Sequence, residues 1–518
     1  MLRILLFAVA ALAATPVVAK PVAPDLAAKA LTGEMPIADI EVAFARGELT
    51  SEALTQAALA RIGALDGKLH AVIAVNPDAL KQARAADAAR KAGKDLGPLM
   101  GIPVLVKDNV ETADPMATTA GSLALKDNVT GRDSPAIAHL RAGGAVILAK
   151  ANLSEWANIR STHSMSGWSG IGGLVANPYD LTRTACGSSS GTGAGVAADY
   201  AVVGIGSETD GSVTCPSSMN GLAGLKPTVG LISRTHIVPI SHSQDTAGPM
   251  GHSVADIAAL LTVMAGSDSA DAATAEADKR KTDYVAGLKA ASLKGVRIGV
   301  LRDQIGNEPK TAAVFEQALT ALKAQGAELV DVKDSSADGL GDAEDVVLHY
   351  ELKADLNAYL ATTPVAVKTR TLSDLIAFNK VHAAEEMPFF GQEYFEAADA
   401  KKGLDDAEYI AAAARAKALS QARIDGLLKD HQVAFLVAPT YAAAWKSDPI
   451  YGDVYNGPSA TTLSATSGYP HLTVSMGFVQ GLPVGLSFIG PKWSEADLLK
   501  AGYVFEQATH ARKPPKGD

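Results

Sequence analysis

Residues 204–216 read GIGSETDGSVTCP, a glycine-spaced run that leads to Ser212, with no histidine in it. A second serine- and glycine-rich run, CGSSSGTGAG, occupies residues 186–195. A serine hydroxyl attacks a carbonyl only when a neighbouring base takes its proton. Two readings of the base follow. In the first, Gly187-Ser188-Ser189-Ser190-Gly191 is a G-x-S-x-G elbow, Ser189 attacks, and His471 or His510 is the base. Such an elbow follows a strand directly, and the preceding ANPYDLTRTAC (176–186) does not read as one. In the second, Ser188 and Ser212 work with Lys107, which ends the apolar run Val104-Leu105-Val106.

The second reading makes a demand on Lys107. A lysine ordinarily titrates near ~10.4 and has no lone pair at neutral pH. Burial at the end of an apolar strand disfavours the ammonium and lowers that value. A serine between amine and nucleophile can donate and accept at once.

These stretches, taken in order, resemble the amidase signature family. GPLMGIPVLVKDN (97–109) is similar to its lysine strand and CGSSSGTGAGVAA (186–198) to its serine-glycine core. GSETDGSVTCPSSMNGLAGLKPTVG (206–230) is similar to its nucleophile segment, and GLPVGLSFIGP (481–491) to its C-terminal strand. NLSEWAN, SGWSG, ETDGS and PISHSQDTAGPM further resemble the peptide-amidase branch. The resemblance implies Ser212 as nucleophile, Ser188, held through a cis peptide bond, as proton relay, and Lys107 as base. It implies an oxyanion hole of backbone N–H groups from Thr209, Asp210, Gly211 and Ser212, and hydrolysis of linear carboxamides through an acyl-enzyme with no cofactor. Substrates would be peptide C-terminal amides, or aliphatic, aryl or N-acyl amides. The commoner family pattern has glycine where this chain has Cys186, Ser190 and Asp210. A carboxylate at 210 would repel an oxyanion, so its side chain is expected to turn away or to meet a donor.

The elements that must hold these residues read as α/β. Residues 36–95 read as helices, with Thr50 and Ser51 as start signals and Leu54, Ala58 and Ile62 on one face. PVLVK, AVILAK (145–150) and AVVGIG (201–206) read as strands buried on both faces. VRIGVL (296–301), a helix through Val314, Ala318 and Leu322 closed by Gly326, and ELVDV (328–332) read as strand–helix–strand. Residues 340–430 read as helical, and VAFLVAPT (433–440), HLTVSMGF (471–478) and PVGLSFIG (483–490) as strands, the last two a hairpin. The expected fold is one α/β/α layered domain, 20–518, with a large mixed sheet covered by helices. Its catalytic core is 96–265, and the mostly helical 268–440 shapes the acyl pocket.

MLRILLFAVAALAATPVVAK has the form of a secretory signal, residues 1–19, with an apolar run too short to span a bilayer. The expectation is a periplasmic or secreted protein without membrane attachment after processing. That argues against a tRNA-dependent amidotransferase subunit, which the same family includes. Among 518 residues the net charge is -10, which disfavours nucleic acid as a partner. The two cysteines, Cys186 and Cys215, either pair in an oxidising compartment or sit buried as small apolar residues. No His/Cys cluster has metal-ligand spacing, so no metal is expected. A non-catalytic periplasmic solute-binding protein is the rival from another class.

Overall fold

The computed structural model describes residues 24–333 and 339–516. The predicted signal segment, 1–19, lies outside the described residues. An eleven-stranded mixed sheet runs through the molecule. Its strands are β1 (Val72–Val75), β2 (Pro103–Lys107), β3 (Val146–Ala151), β4 (Val203–Glu208), β5 (Ala223–Lys226) and β6 (Thr246–Gly251). The others are β7 (Arg297–Leu301), β8 (Glu328–Val332), β9 (Phe435–Pro439), β10 (His471–Val479) and β11 (Leu482–Ile489). In space the order is β1-β3-β2-β4-β6-β5-β10-β11-β9-β7-β8. The contacts β3–β2–β4 and β9–β7–β8 are parallel, and the strands between them pair antiparallel.

The apolar runs decide where the sheet lies. β2, β3 and β4 are buried at every residue, as strands covered on both faces must be. Thr50 caps the helix Ser51–Leu69 by accepting from the Ala53 N–H, and Leu54, Ala58 and Ile62 are its buried face. The helix Pro309–Ala324 crosses from β7 to the parallel β8, with Gly326 at a φ of +90° just beyond its end. β10 and β11 form the expected hairpin, turned at Gln480-Gly481, both at positive φ. Residues 340–431 are mainly helices, Leu340–Ala361 and Ala407–His431 the longest. Among the described residues no helix is long and apolar enough to cross a membrane.

Two expectations are corrected. Residues 36–95 are not all helix, because Val72–Val75 pairs antiparallel with β3. Asp180–Thr184 is a strand, paired with Ala176–Asn177 in a small separate hairpin. That hairpin stands outside the main sheet, so the run before Ser189 still lacks the sheet strand an elbow requires.

Candidate active site

β2 carries Lys107 to its C-terminal end, where the side chain is fully buried. Its Nζ lies 2.7 Å from Ser188 Oγ, 3.1 Å from the Ser207 carbonyl oxygen and 3.0 Å from Ser207 Oγ. Burial lowers its pKa to about 7, against the opposing pull of the Asp245 and Glu208 carboxylates. Asn109 donates to Ser207 Oγ at 2.8 Å, which fixes the hydroxyl beside the amine.

Ser188 is also fully buried, and the Gly187–Ser188 peptide bond is cis. The next residue ties this segment to the second serine, since the Ser189 N–H donates to the Ser212 carbonyl at 3.1 Å. Ser212 follows β4 and comes just before the short helix Thr214–Met219. It lines a cleft of ≈ 400 Å³ together with Gly187, Thr209 and Asp210. Among the described residues, the N–H groups of Asp210, Gly211 and Ser212 donate to no acceptor. Gly211 has a φ of +79°, and a Cβ there would come within 2.6 Å of the Tyr441 hydroxyl. Thr209 turns its hydroxyl to Asp245 at 2.6 Å.

Asp210 meets a donor, as expected: Thr462 Oγ1 donates to its Oδ2 at 2.8 Å. Burial raises its carboxyl, and the Thr461 and Thr462 hydroxyls pull it back down. Glu344 next to it is raised well above its ordinary value, by burial and by the Asp210 charge.

The elbow reading finds no base. Ser189 is buried, donates to the Ser207 carbonyl and accepts from the Ser207 N–H. His471 instead faces Ser464 and Ser487, and burial drives its pKa down to about 3. His510 caps the far end of the helix Glu495–Thr509. Cys186 and Cys215 form a disulfide inside a buried cluster with Met219 and Ala444, so they are paired as well as buried. Ser166 of SGWSG lines the cleft and donates to Asp453, while Trp168 packs against Phe390.

Several site residues were not foreseen. Ser207 touches both Lys107 and Ser189, and its place three residues before Asp210, inside a strand, gave no chemical signal. Glu208 accepts from the Val213 and Thr214 N–H groups at 2.7 and 2.9 Å and so fixes the turn after Ser212. The outer wall of the cleft comes from Tyr441, Trp445, Asp453, Tyr455 and Thr462, in a stretch with no recognisable pattern.

The fold and this arrangement define a serine-dependent acyl-transfer enzyme, and comparison with known proteins gives the family. A profile of the Amidase family matches residues 53–499, and the chain belongs to that family. It is a hydrolase of carboxamides. A probable amidase of Arabidopsis thaliana is 38% identical over 494 residues, covering 93% of this chain and 91% of that protein. The crystal structure of native peptide amidase from Stenotrophomonas maltophilia superposes with a TM-score of 0.89 at 48% identity, covering 94% of this chain and 99% of that one. A peptide amidase structure in complex with the competitive inhibitor chymostatin gives 0.90 at 49% identity, covering 93% and 99%.

Proposed function

We propose that Ser212 attacks the carboxamide carbon, Ser188 relays its proton and Lys107 receives it. The observation that carries this reading is the buried Lys107 amine 2.7 Å from the Ser188 hydroxyl, with a pKa near 7. A neutral amine has two N–H groups and one lone pair. Those match its three neighbours: two N–H groups donate to the Ser207 carbonyl and hydroxyl oxygens, and the lone pair accepts from the Ser188 hydroxyl. Ser188 then accepts from Ser212 as that oxygen attacks. The backbone N–H groups from Thr209 to Ser212 stabilise the oxyanion; one such donor contributes on the order of 3 kcal/mol elsewhere. The proton returns by the same path to the departing ammonia or amine. Water then releases the acid from the acyl-enzyme.

The substrates we infer are peptides ending in a carboxamide, deamidated without cleavage inside the chain. Support comes from the similarity to peptide amidases. It also comes from the aromatic cleft wall of Tyr441, Trp445 and Tyr455, which suits a chain of side chains better than a small amide does. Residues 268–440 add Leu348 to this wall, and 441–462 supply more of it. The deduced order, a signal over 1–19, a catalytic core over 96–265 and a variable region over 268–440, goes with an exported enzyme. The test is a panel of peptide amides, free peptides, small aliphatic and aryl amides and esters, scored by ammonia release and product mass. Peptide amides should lead in kcat/KM with a mass change of one amide to acid. Preference for small amides, or products cut inside the peptide, would reject this substrate class.

A further inference from the structure

We propose that the Cys186–Cys215 disulfide positions the two reacting serines, so that the enzyme reaches full turnover only in its oxidised form. The inference rests on the assignment of Ser188 and Ser212 above. The bond joins residues 29 apart, and both serines lie inside the ring it closes. Cys186 is two residues before Ser188, and Cys215 is three after Ser212.

Cys215 is fastened to the backbone beside Ser212, and Cys186 is anchored just ahead of Ser188. The Cys215 N–H donates to the Gly211 carbonyl at 2.8 Å, so a shift of Cys215 shifts the turn that presents Ser212. The Cys186 N–H donates to Thr184 Oγ1, and its φ of +58° fixes the chain direction just before Gly187. Across the gap between the segments, one backbone hydrogen bond, Ser189 N–H to the Ser212 carbonyl, runs beside the disulfide. The sulfurs pack against Met219 and Ala444, with Tyr441 and Trp445 of the cleft wall alongside. Two thiols need more room than the bonded pair, and in a packed cluster part of that room comes from the serine segments and the wall, on the scale of about an ångström. Reaction geometry is sensitive on that scale. Cys186 itself lines the cleft, which gives a small reductant a route to the bond.

A trialkylphosphine supplies the electrons: it attacks one sulfur, the S–S bond breaks, and water oxygen ends on phosphorus. Two thiols and the phosphine oxide result. The test uses the full chain, folded, before and after phosphine, with thiols counted, alongside the Cys186→Ser/Cys215→Ser double variant. Loss of the bond should lower kcat for a peptide amide by about a hundredfold, the scale of an ångström misplacement. KM should change little, fluorophosphonate labelling of Ser212 should slow in step with kcat, and reoxidation should restore both. A folded form without the bond that keeps wild-type kcat, even with a lower Tm, overturns the proposal. Where the double variant does not fold, the reduced wild type decides; where the bond resists phosphine, the variant decides. Oxidised enzyme that labels at a serine other than Ser212 refutes the catalytic assignment instead, and is told apart by peptide mapping.

Discussion

Lys107 concentrates the chemistry in one titration. Below a pH of about 7 its amine is charged and has no lone pair; above it the lone pair is free. The kcat/KM for an amide should therefore rise with pH, reach half its plateau near 7, and follow a single ionisation. Lys107→Ala should remove this limb and lower kcat by about 10⁴-fold or more, as loss of a triad member does elsewhere, while circular dichroism stays native. Normal turnover in that variant would end the mechanism. The same burial has a stability sign. Its pKa falls from 10.5 unfolded to about 7 folded, so between those values the unfolded chain holds the extra proton. Stability should rise with pH across that window, and the penalty is fully present below about 7. Denaturant titrations of wild type and Lys107→Met at pH 7 and pH 9 check this, since the variant should lose that part of the slope.

At the scale of elements, the helix Thr214–Met219 holds Ser212 in place through its first turn. Glu208, at the end of β4, accepts the two leading N–H groups of that turn, and burial raises its carboxyl while the Lys226 charge pulls it down. Glu208→Ala leaves buried donors unpaired, at about 1–3 kcal/mol each. The expected result is a lower urea midpoint together with slower Ser212 labelling; Glu208→Gln, which keeps an acceptor, should recover most of both. A wild-type labelling rate in the alanine variant would show that the turn does not depend on this carboxylate. Elements with a strong apolar pattern were readable from sequence: β2, β3, β4 and the β7–β8 crossover. Lys107, Ser188 and Ser212 were readable because their spacing is distinctive. β6 was not, since TAGPMG is a poor strand former, and it is a strand because β4 and β5 pair with it on either side. Gly248 in it has a reason that only the fold reveals, for a Cβ there would meet the Leu225 carbonyl at 2.4 Å. β1 was hidden among helical segments because three half-buried residues and one exposed one carry little periodicity. Ser207 was passed over because its contact across strands to Lys107 leaves no trace in local spacing.

For the whole molecule, the reaction centre comes from the earlier part of the chain and most of the cleft's outer wall from the later part, with Ile159, Ser166 and Ile240 added by the earlier. Tyr455 lines the cleft, partly exposed, with its ring edge-on to Tyr441 and Trp445. Tyr455→Ala should lower kcat/KM for peptide amides with a bulky penultimate residue by about tenfold, the low end for losing an apolar contact in a pocket. It should leave Ser212 labelling by a small fluorophosphonate unchanged. An equal loss on every amide would mean that the ring serves the chemistry and not the choice of substrate.

The order of the strands carries this division further. Strands from residues 72–251 fill six consecutive positions, those from 297–489 fill the other five, and β5 meets β10 at the seam. Lys107, Ser188 and Ser212 all belong to the first group, and most of the outer wall to the loops of the second. A crossover between two homologues at that boundary would exchange taste without exchanging machinery, so breeding new selectivity calls for shuffling the later portion of the gene and leaving the earlier portion alone.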